Sequence, residues 1–382
     1  MSLLSTDENP QPGMLVGRLR DIRRFELLER LNDPQEKRSA WRAKDSMNGQ
    51  HVLVEIIPSD SSPYSVLEGE GDILWTLAGY AEPFPPTGPK PAASHPGQQH
   101  IVDIIDGFSL PDRTRGNDEE LGSDDAVITE LLGPSLRDWQ LARPAPFFPP
   151  YLVQRIALQL LTALDHLQTL RDVLEYRVAH LDQQKLEIDE PADTLQLKLS
   201  NFGSAIRDVH LGEDSHHWHA TRQTAAPEQL LLYEGYGSYG PARAADIWAV
   251  GVVVSLLLFN KHLAFDNLDF SWQRINLRDP LTRYNVKPEV IVSLASLNKE
   301  EPWPDSYMDS LRLYPDPGYP FDIPGVEPMP TLRERVEAQG KIDNPAEVDK
   351  LVSFLRACWT LDPYTRPSAK ELLQHEWLEG VA

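Results

Sequence analysis

The chain has 382 residues, 41% hydrophobic and 25% charged, with 36 Lys+Arg against 58 Asp+Glu and a formal net charge of -22. That composition excludes a disordered chain, a long coiled coil and a collagen-like repeat, and its length suggests two to three packing units. The acidic surplus excludes a general binder of nucleic acid or anionic membrane, which needs a basic footprint, while it suits a basic peptide partner. The single cysteine, Cys358, excludes an intrachain disulfide or a multi-cysteine zinc site.

In chain order, residues 1–15 are polar and read as a loose tail. They lack a basic stretch followed by an apolar core, so no secretory signal is expected. Short strand-like stretches lie between Phe25 and Ile57, with Met47-Asn48-Gly49 turning the chain ahead of HVLVEII. Asn-Gly between apolar runs predicts a hairpin. Val66 to Leu77 has helical character through Leu67, Ile73, Leu74 and Leu77, and residues 82–99 form a Pro/Gly-rich loop. IVDIIDGF and AVITELLG read as strands around the acidic loop Asp112 to Asp125.

Beyond Leu132 the pattern changes. Leu152, Ile156, Leu160, Leu164 and Leu167 recur at helical spacing. KLEID and LQLKLS read as short strands. Ile247–Phe259, thirteen residues, is the longest apolar run; a membrane span needs about 20, so a buried core helix is expected. A long Pro-rich region then reaches about Pro330, and a last helix follows Pro367. The expected class is α+β: a small, mainly β unit over 16–132 and a larger, mainly α unit over 133–382.

Several strings, in this order, resemble a protein kinase over roughly residues 25–380. HVLVEII stands where a kinase strand carries VAIK, and EGDILWTL stands where helix C carries its Glu. VAHLDQQKLEI resembles the catalytic loop, NFG the DFG motif, AAPE the APE motif and DIWAVG the helix after it, with LDPYTRPSAKELLQHEWL at the end. HPGQQHIVDIIDGF, ELLGPSLRDW, LKLSNFGSA and TRQTAAPE look like segments of the serine/arginine-rich-protein kinases. The resemblance implies a two-lobed fold hinged near Glu130–Leu132, with Glu130 and Leu132 at nucleotide-site positions. It also implies Arg-rich substrates on acidic surfaces, an Asp246 that receives the catalytic-loop backbone, and a Glu228–Arg366 pair.

Phosphoryl transfer needs close backbone approach to the phosphates, a lysine on them, metal ligands and a base. The stretch Arg30 to Trp41, at the phosphate-loop position, contains no glycine, so side chains obstruct that approach. The strand lysine is replaced by Glu55, and helix C would offer Glu70, so an expected ion pair becomes two carboxylates. Lys37 or Lys44 could supply a displaced cation, as in the with-no-lysine kinases. Asp182 fills the base position beside His180, but Leu181, Gln184, Glu187 and Asn201 replace the Arg, Lys, Asn and Asp of the pattern. Glu187 and Asn201 leave one carboxylate and one amide at the metal-ligand positions, with their order exchanged. Mg²⁺ often takes only one or two carboxylates, so swapped coordination stays open beside simple disuse of the site.

Two readings follow. The first is a catalytically impaired kinase fold that serves as a protein-binding or regulatory module, possessing no resident cofactor. The second is an atypical serine/threonine kinase that uses ATP and Mg²⁺ with Asp182 as base. Altered phosphate handling favours the first. Arg/Ser-rich protein segments are the expected partners, with no direct nucleic-acid or membrane contact, in the cytoplasm, the nucleus or both. Ser204, Ser215, Thr221 and Thr224 are activation-segment hydroxyls open to phosphorylation, and His216, His217 and His219 read as solvated loop.

Overall fold

Alternating burial builds the N-terminal part. In the computed structural model, Trp41 and Ala43 point into a core while Arg42 and Lys44, alternating with them, face solvent, the period-two signature of a strand with one wet face. The structure describes residues 10–17, 24–34, 36, 38–58, 71–79, 95–110, 124–144, 147–169, 195–200, 202, 224–228, 242–265, 288–297 and 329–381.

Six strands, β1 (Leu15–Val16), β2 (Phe25–Arg30), β3 (Ser39–Asp45), β4 (His51–Ile57), β5 (Ile104–Ser109) and β6 (Asp125–Glu130), form one sheet. Its order is β1-β2-β3-β4-β6-β5, with every neighbouring pair antiparallel. The expected turn joins β3 to β4: Gly49 takes φ +74°, and the Asn48 side chain accepts the Gln50 N–H at 2.8 Å. β4 is an inner strand with Val52, Val54 and Ile56 on one face and Leu53 and Ile57 on the other, all buried. That explains a nearly continuous apolar run interrupted only by Glu55. The sheet curls so that the start of β2 approaches the edge strand β5. Phe25 stacks on Phe108 at 6.4 Å, and Arg24 bridges Asp45 and Asp106 at 2.9 and 3.2 Å.

Helix α1 (Asp72–Leu77) and a 3-10 turn (Pro96–His100) precede β5; α2 (Leu136–Ala142), α3 (Pro150–Thr169) and α4 (Ala242–Phe259) follow β6. A second 3-10 turn (Leu263–Phe265), α5 (Pro288–Leu297), α6 (Leu332–Glu337), α7 (Pro345–Cys358), α8 (Ala369–Leu372) and a last 3-10 turn (Glu376–Leu378) follow among the described residues. The predicted stripe on α3 is buried at every position from Leu152 to Leu167, and it meets α4 and α8. Along α4 only Leu256 of the run Ile247–Phe259 escapes full burial, as a helix apolar all round requires. Among the described residues no helix is long and apolar enough to cross a membrane.

Several expectations change. Leu15 belongs to β1, and Met14 accepts the Leu27 N–H at 2.9 Å, so the end of the supposed loose tail is part of the sheet. Ile101 to Asp103 do not extend β5; Ile101 instead bridges Leu199 in parallel. Helix α5 lies inside the stretch read only as a long Pro-rich region, where no helix was placed. Pro288 opens the helix, where a missing N–H costs nothing, rather than interrupting one. Helices α6 and α7 were likewise hidden by short, mixed sequences. Their Thr331 and Asn344 caps supply the start signals.

Candidate nucleotide cleft and its supports

Glu55 lies on β4 opposite Ala40 of β3 and Val127 of β6. Its carboxylate pairs with Arg38 Nε at 3.0 Å, an ion pair rather than a well-aligned hydrogen bond. The sequence reading sought a displaced cation in Lys37 or Lys44. Lys37 and Glu70 lie outside the described residues. Lys44 is exposed, paired across the sheet with Glu26 and His51, and about 13 Å along the strand from Ala40. Among the described residues Arg38 is the cation paired with Glu55, and its sequence signal was only its place just ahead of a strand.

The β2–β3 hairpin closes on itself. Asn32 Oδ1 accepts the Ala40 N–H at 3.0 Å and Arg30 Nε at 3.2 Å, and its Nδ2 donates to the Arg38 carbonyl at 2.6 Å. Arg30 donates to the carbonyls of Asp33 and Glu36, each at 3.1 Å. Leu31 and Glu36 N–H groups donate to the Ala40 and Asp33 carbonyls. These donors are consumed inside the hairpin, where a phosphate loop would aim them at a ligand.

At the other end of the sheet, Glu130 closes β6. Its carboxylate accepts the Asp103 N–H at 2.8 Å and pairs with the Lys198 ammonium. Lys198 also stands 4.0 Å from Asp103. The Glu130 side chain thus ties β6 to the segment that leads toward Asn201, and Leu132 packs against the main core. Gln159 on α3 holds the same segment: its amide donates to the Leu195 carbonyl at 2.7 Å and accepts the Leu197 N–H at 2.6 Å. Sequence reasoning missed Gln159 because one polar residue beside an apolar stripe carries no signal of its partner. Phe202 of the NFG string is buried in the same core.

The candidate residues His180, Leu181, Asp182, Gln184, Glu187 and Asn201 lie outside the described residues, as do Ser204, Ser215, Thr221 and His216 to His219. Thr224 is described and buried, so enzymatic modification there would require local opening.

The paired support of the large helical part is present. Arg366 donates to both carboxylate oxygens of Glu228 at 2.8 and 3.0 Å, with both side chains almost completely buried. The remaining guanidinium donors reach the Ala244 and Thr360 carbonyls at 2.6 and 2.8 Å, and the group lies over the Trp248 ring. Asp246, one turn into α4, is buried as well.

Over residues 120–378 the sequence matches the family model for the protein kinase domain. The chain belongs to this family. Strands β1 to β5 precede the matched stretch, so the kinase-domain match rests on β6 and the helical part. The chain is also similar to the serine/threonine-protein kinase ksp1 of Schizosaccharomyces pombe (strain 972 / ATCC 24843), 32% identical over 120 residues. That stretch covers 30% of this chain and 22% of the yeast protein's length.

Proposed function

We propose that this kinase domain is a protein-binding or regulatory module without phosphoryl transfer, of the serine/arginine-rich-protein kinase type. Its small lobe spans 16–132 and its large lobe 133–382. The observation that carries the reading is the Arg38–Glu55 pair under a glycine-free, self-bonded hairpin. A carboxylate at the strand position repels phosphate, and its neighbouring cation is already engaged. Gln184, Glu187 and Asn201, at the remaining phosphate and metal positions by motif match, point the same way. The module reading includes no bound ATP·Mg²⁺ at this strand and hairpin.

The acidic balance supports Arg/Ser-rich segments as partners, since guanidinium groups pair bidentately with carboxylates. Such binding should weaken with salt and survive Asp182→Ala. Action in the cytoplasm, the nucleus or both, without direct nucleic-acid or membrane contact, belongs to the same reading.

The alternative, an atypical serine/threonine kinase with Asp182 as base and swapped metal ligands, draws support from the yeast relative's name and from the intact Glu228–Arg366 support. A thermal-shift titration with ATP, with and without Mg²⁺ or Mn²⁺, separates the two. Saturation at 100 times Kd stabilises by about 2.7 kcal/mol, and the module reading expects no shift. Labelled phosphate entering an Arg/Ser peptide, and lost in Asp182→Ala, overturns it. Glu55→Lys alone should restore no transfer, because the hairpin and the altered metal positions remain.

A further inference from the structure

One corner of the helical part departs from the charge of the rest. Three segments meet there: 139–164 from α2 into α3, 247–265 along α4 and the turn after it, and 338–342 between α6 and α7. None contains an aspartate or glutamate, in a chain that has 58 of them, whereas Arg143, Arg155, Lys261 and Lys341 lie within them. The end of α4 holds the corner together. Gln140 donates to the Leu256 carbonyl at 2.9 Å, and the Phe148 N–H donates to the Leu257 carbonyl at 2.8 Å. Both ties fall in the last turn before Asn260 and Lys261.

The cations here face aromatic rings. The Arg143 guanidinium lies 5.6 Å from the Trp139 ring and 4.8 Å from Phe148, and the Lys341 ammonium lies 3.8 Å from Phe147. The nearest carboxylates along the chain are Asp138, turned onto its own Ser135 cap, and Asp343, exposed beyond Lys341. Apolar surface lies open in the same stretch. Leu141 and Tyr151 are each 59% exposed, with half-buried Phe147 between them in the chain. A single exposed leucine is ordinary, but bulky apolar groups gathered beside cations are the composition of an interaction surface.

We propose that this corner is a docking surface for an acidic segment of a protein partner that carries bulky apolar anchors. Its carboxylates would meet Arg143, Lys261 and Lys341, and its leucine or phenylalanine side chains would cover Leu141, Phe147 and Tyr151. Charge complementarity selects this occupant: a chain of net charge -22 repels an acidic peptide elsewhere and leaves it this corner. A long polyanion would meet the same repulsion over its whole length without a broad basic footprint to offset it. The surface is separate from the cleft and from the acidic face proposed for Arg/Ser-rich segments, so it stands whether or not the cleft transfers phosphate.

The test is fluorescence anisotropy of the full chain with labelled peptides that alternate Asp with Leu and Phe, Lys with Leu and Phe, or Asp with Ser. The first should bind at low salt and weaken as salt rises, and the other two should not bind. Leu141→Ala combined with Tyr151→Ala should weaken binding about tenfold, and Lys341→Glu should do the same. Met47→Ala, at an equally exposed apolar side chain on the β3–β4 turn, should change nothing. No binding of the Asp-Leu-Phe peptide, equal binding of either other peptide, or indifference to the Leu141 and Tyr151 replacements overturns the proposal. Phosphatidylserine vesicles or a DNA oligonucleotide that bind with the same dependence on Leu141, Tyr151 and Lys341 also overturn it. Should a variant lose its fold by circular dichroism, hydrogen exchange of the unsubstituted protein with the Asp-Leu-Phe peptide decides. Protection confined to 139–155 and 338–342 supports the docking surface, and protection elsewhere overturns it.

Discussion

Arg366 shows how one side chain can organise a helical core. Its guanidinium meets two carboxylate oxygens and several backbone carbonyls in a site that excludes water. Removing one partner leaves a buried charge uncompensated, which costs about 3–5 kcal/mol. Arg366→Met and Glu228→Gln should each lower the urea midpoint accordingly, and the double variant should lose less than the sum. Additive losses would show that the two charges do not compensate one another. Gly251 is the second such position. A Cβ there would stand 2.5 Å from Trp359 Nε1 and 2.9 Å from Cys358 Cβ. Alanine ordinarily favours a helix over glycine by about 1 kcal/mol, but here it must push α4 from Trp359. Gly251→Ala should therefore destabilise, by about 1–3 kcal/mol as overpacking does; a gain in melting temperature would refute this.

Short helices depend on their ends. α2, α6 and α8 each begin with a reciprocal capping box: Ser135 with Asp138, Thr331 with Glu334, Ser368 with Glu371. The Ser368 N–H and hydroxyl both donate to the Glu371 carboxylate, at 2.7 Å each, and these bonds lower the Glu371 pKa, the backbone N–H having the larger effect. Ser368→Ala should cost about 1 kcal/mol, read by thermal denaturation. Of these three only the helix after Pro367 was placed from the sequence; α2 and α6 are too short for an apolar stripe to show, although S/T-x-x-D/E strings open them. The long helices α3 and α4 were legible because an apolar stripe and an all-apolar run each leave few other ways to be buried.

Across the whole molecule, burial is the principal cause that lowers the pKa of His100, His166 and His375. The sign follows directly: the unfolded chain binds these protons near pH 6.5 while the folded chain resists them, so stability is present above that pH and declines below it. Urea midpoints should fall between pH 7.5 and 5.5. A second loss should appear below about pH 4, where the lowered Asp45 and Glu371 carboxyls take up protons more readily in the unfolded chain. A flat profile from pH 7.5 to 5.5 would refute the first part. A stepwise replacement of the three histidines assigns the slope among them.

Local patterns were enough for the β-hairpin at Asn48-Gly49, the α3 stripe, the α4 core helix and the motif order that marks a kinase domain, because periodicity and turn chemistry act over a few residues. The Glu228–Arg366 pair was reachable too, but through family resemblance rather than through spacing. Long-range partners were not: Arg38 for Glu55, Lys198 for Glu130, and Gln159 for the segment before Asn201. Each joins residues whose neighbourhood is set by how the sheet curls and how the chain before Asn201 packs on α3. A side chain's charge is written in its own residue, whereas the atom that answers it is chosen by packing, and packing is a property of the folded chain as a whole.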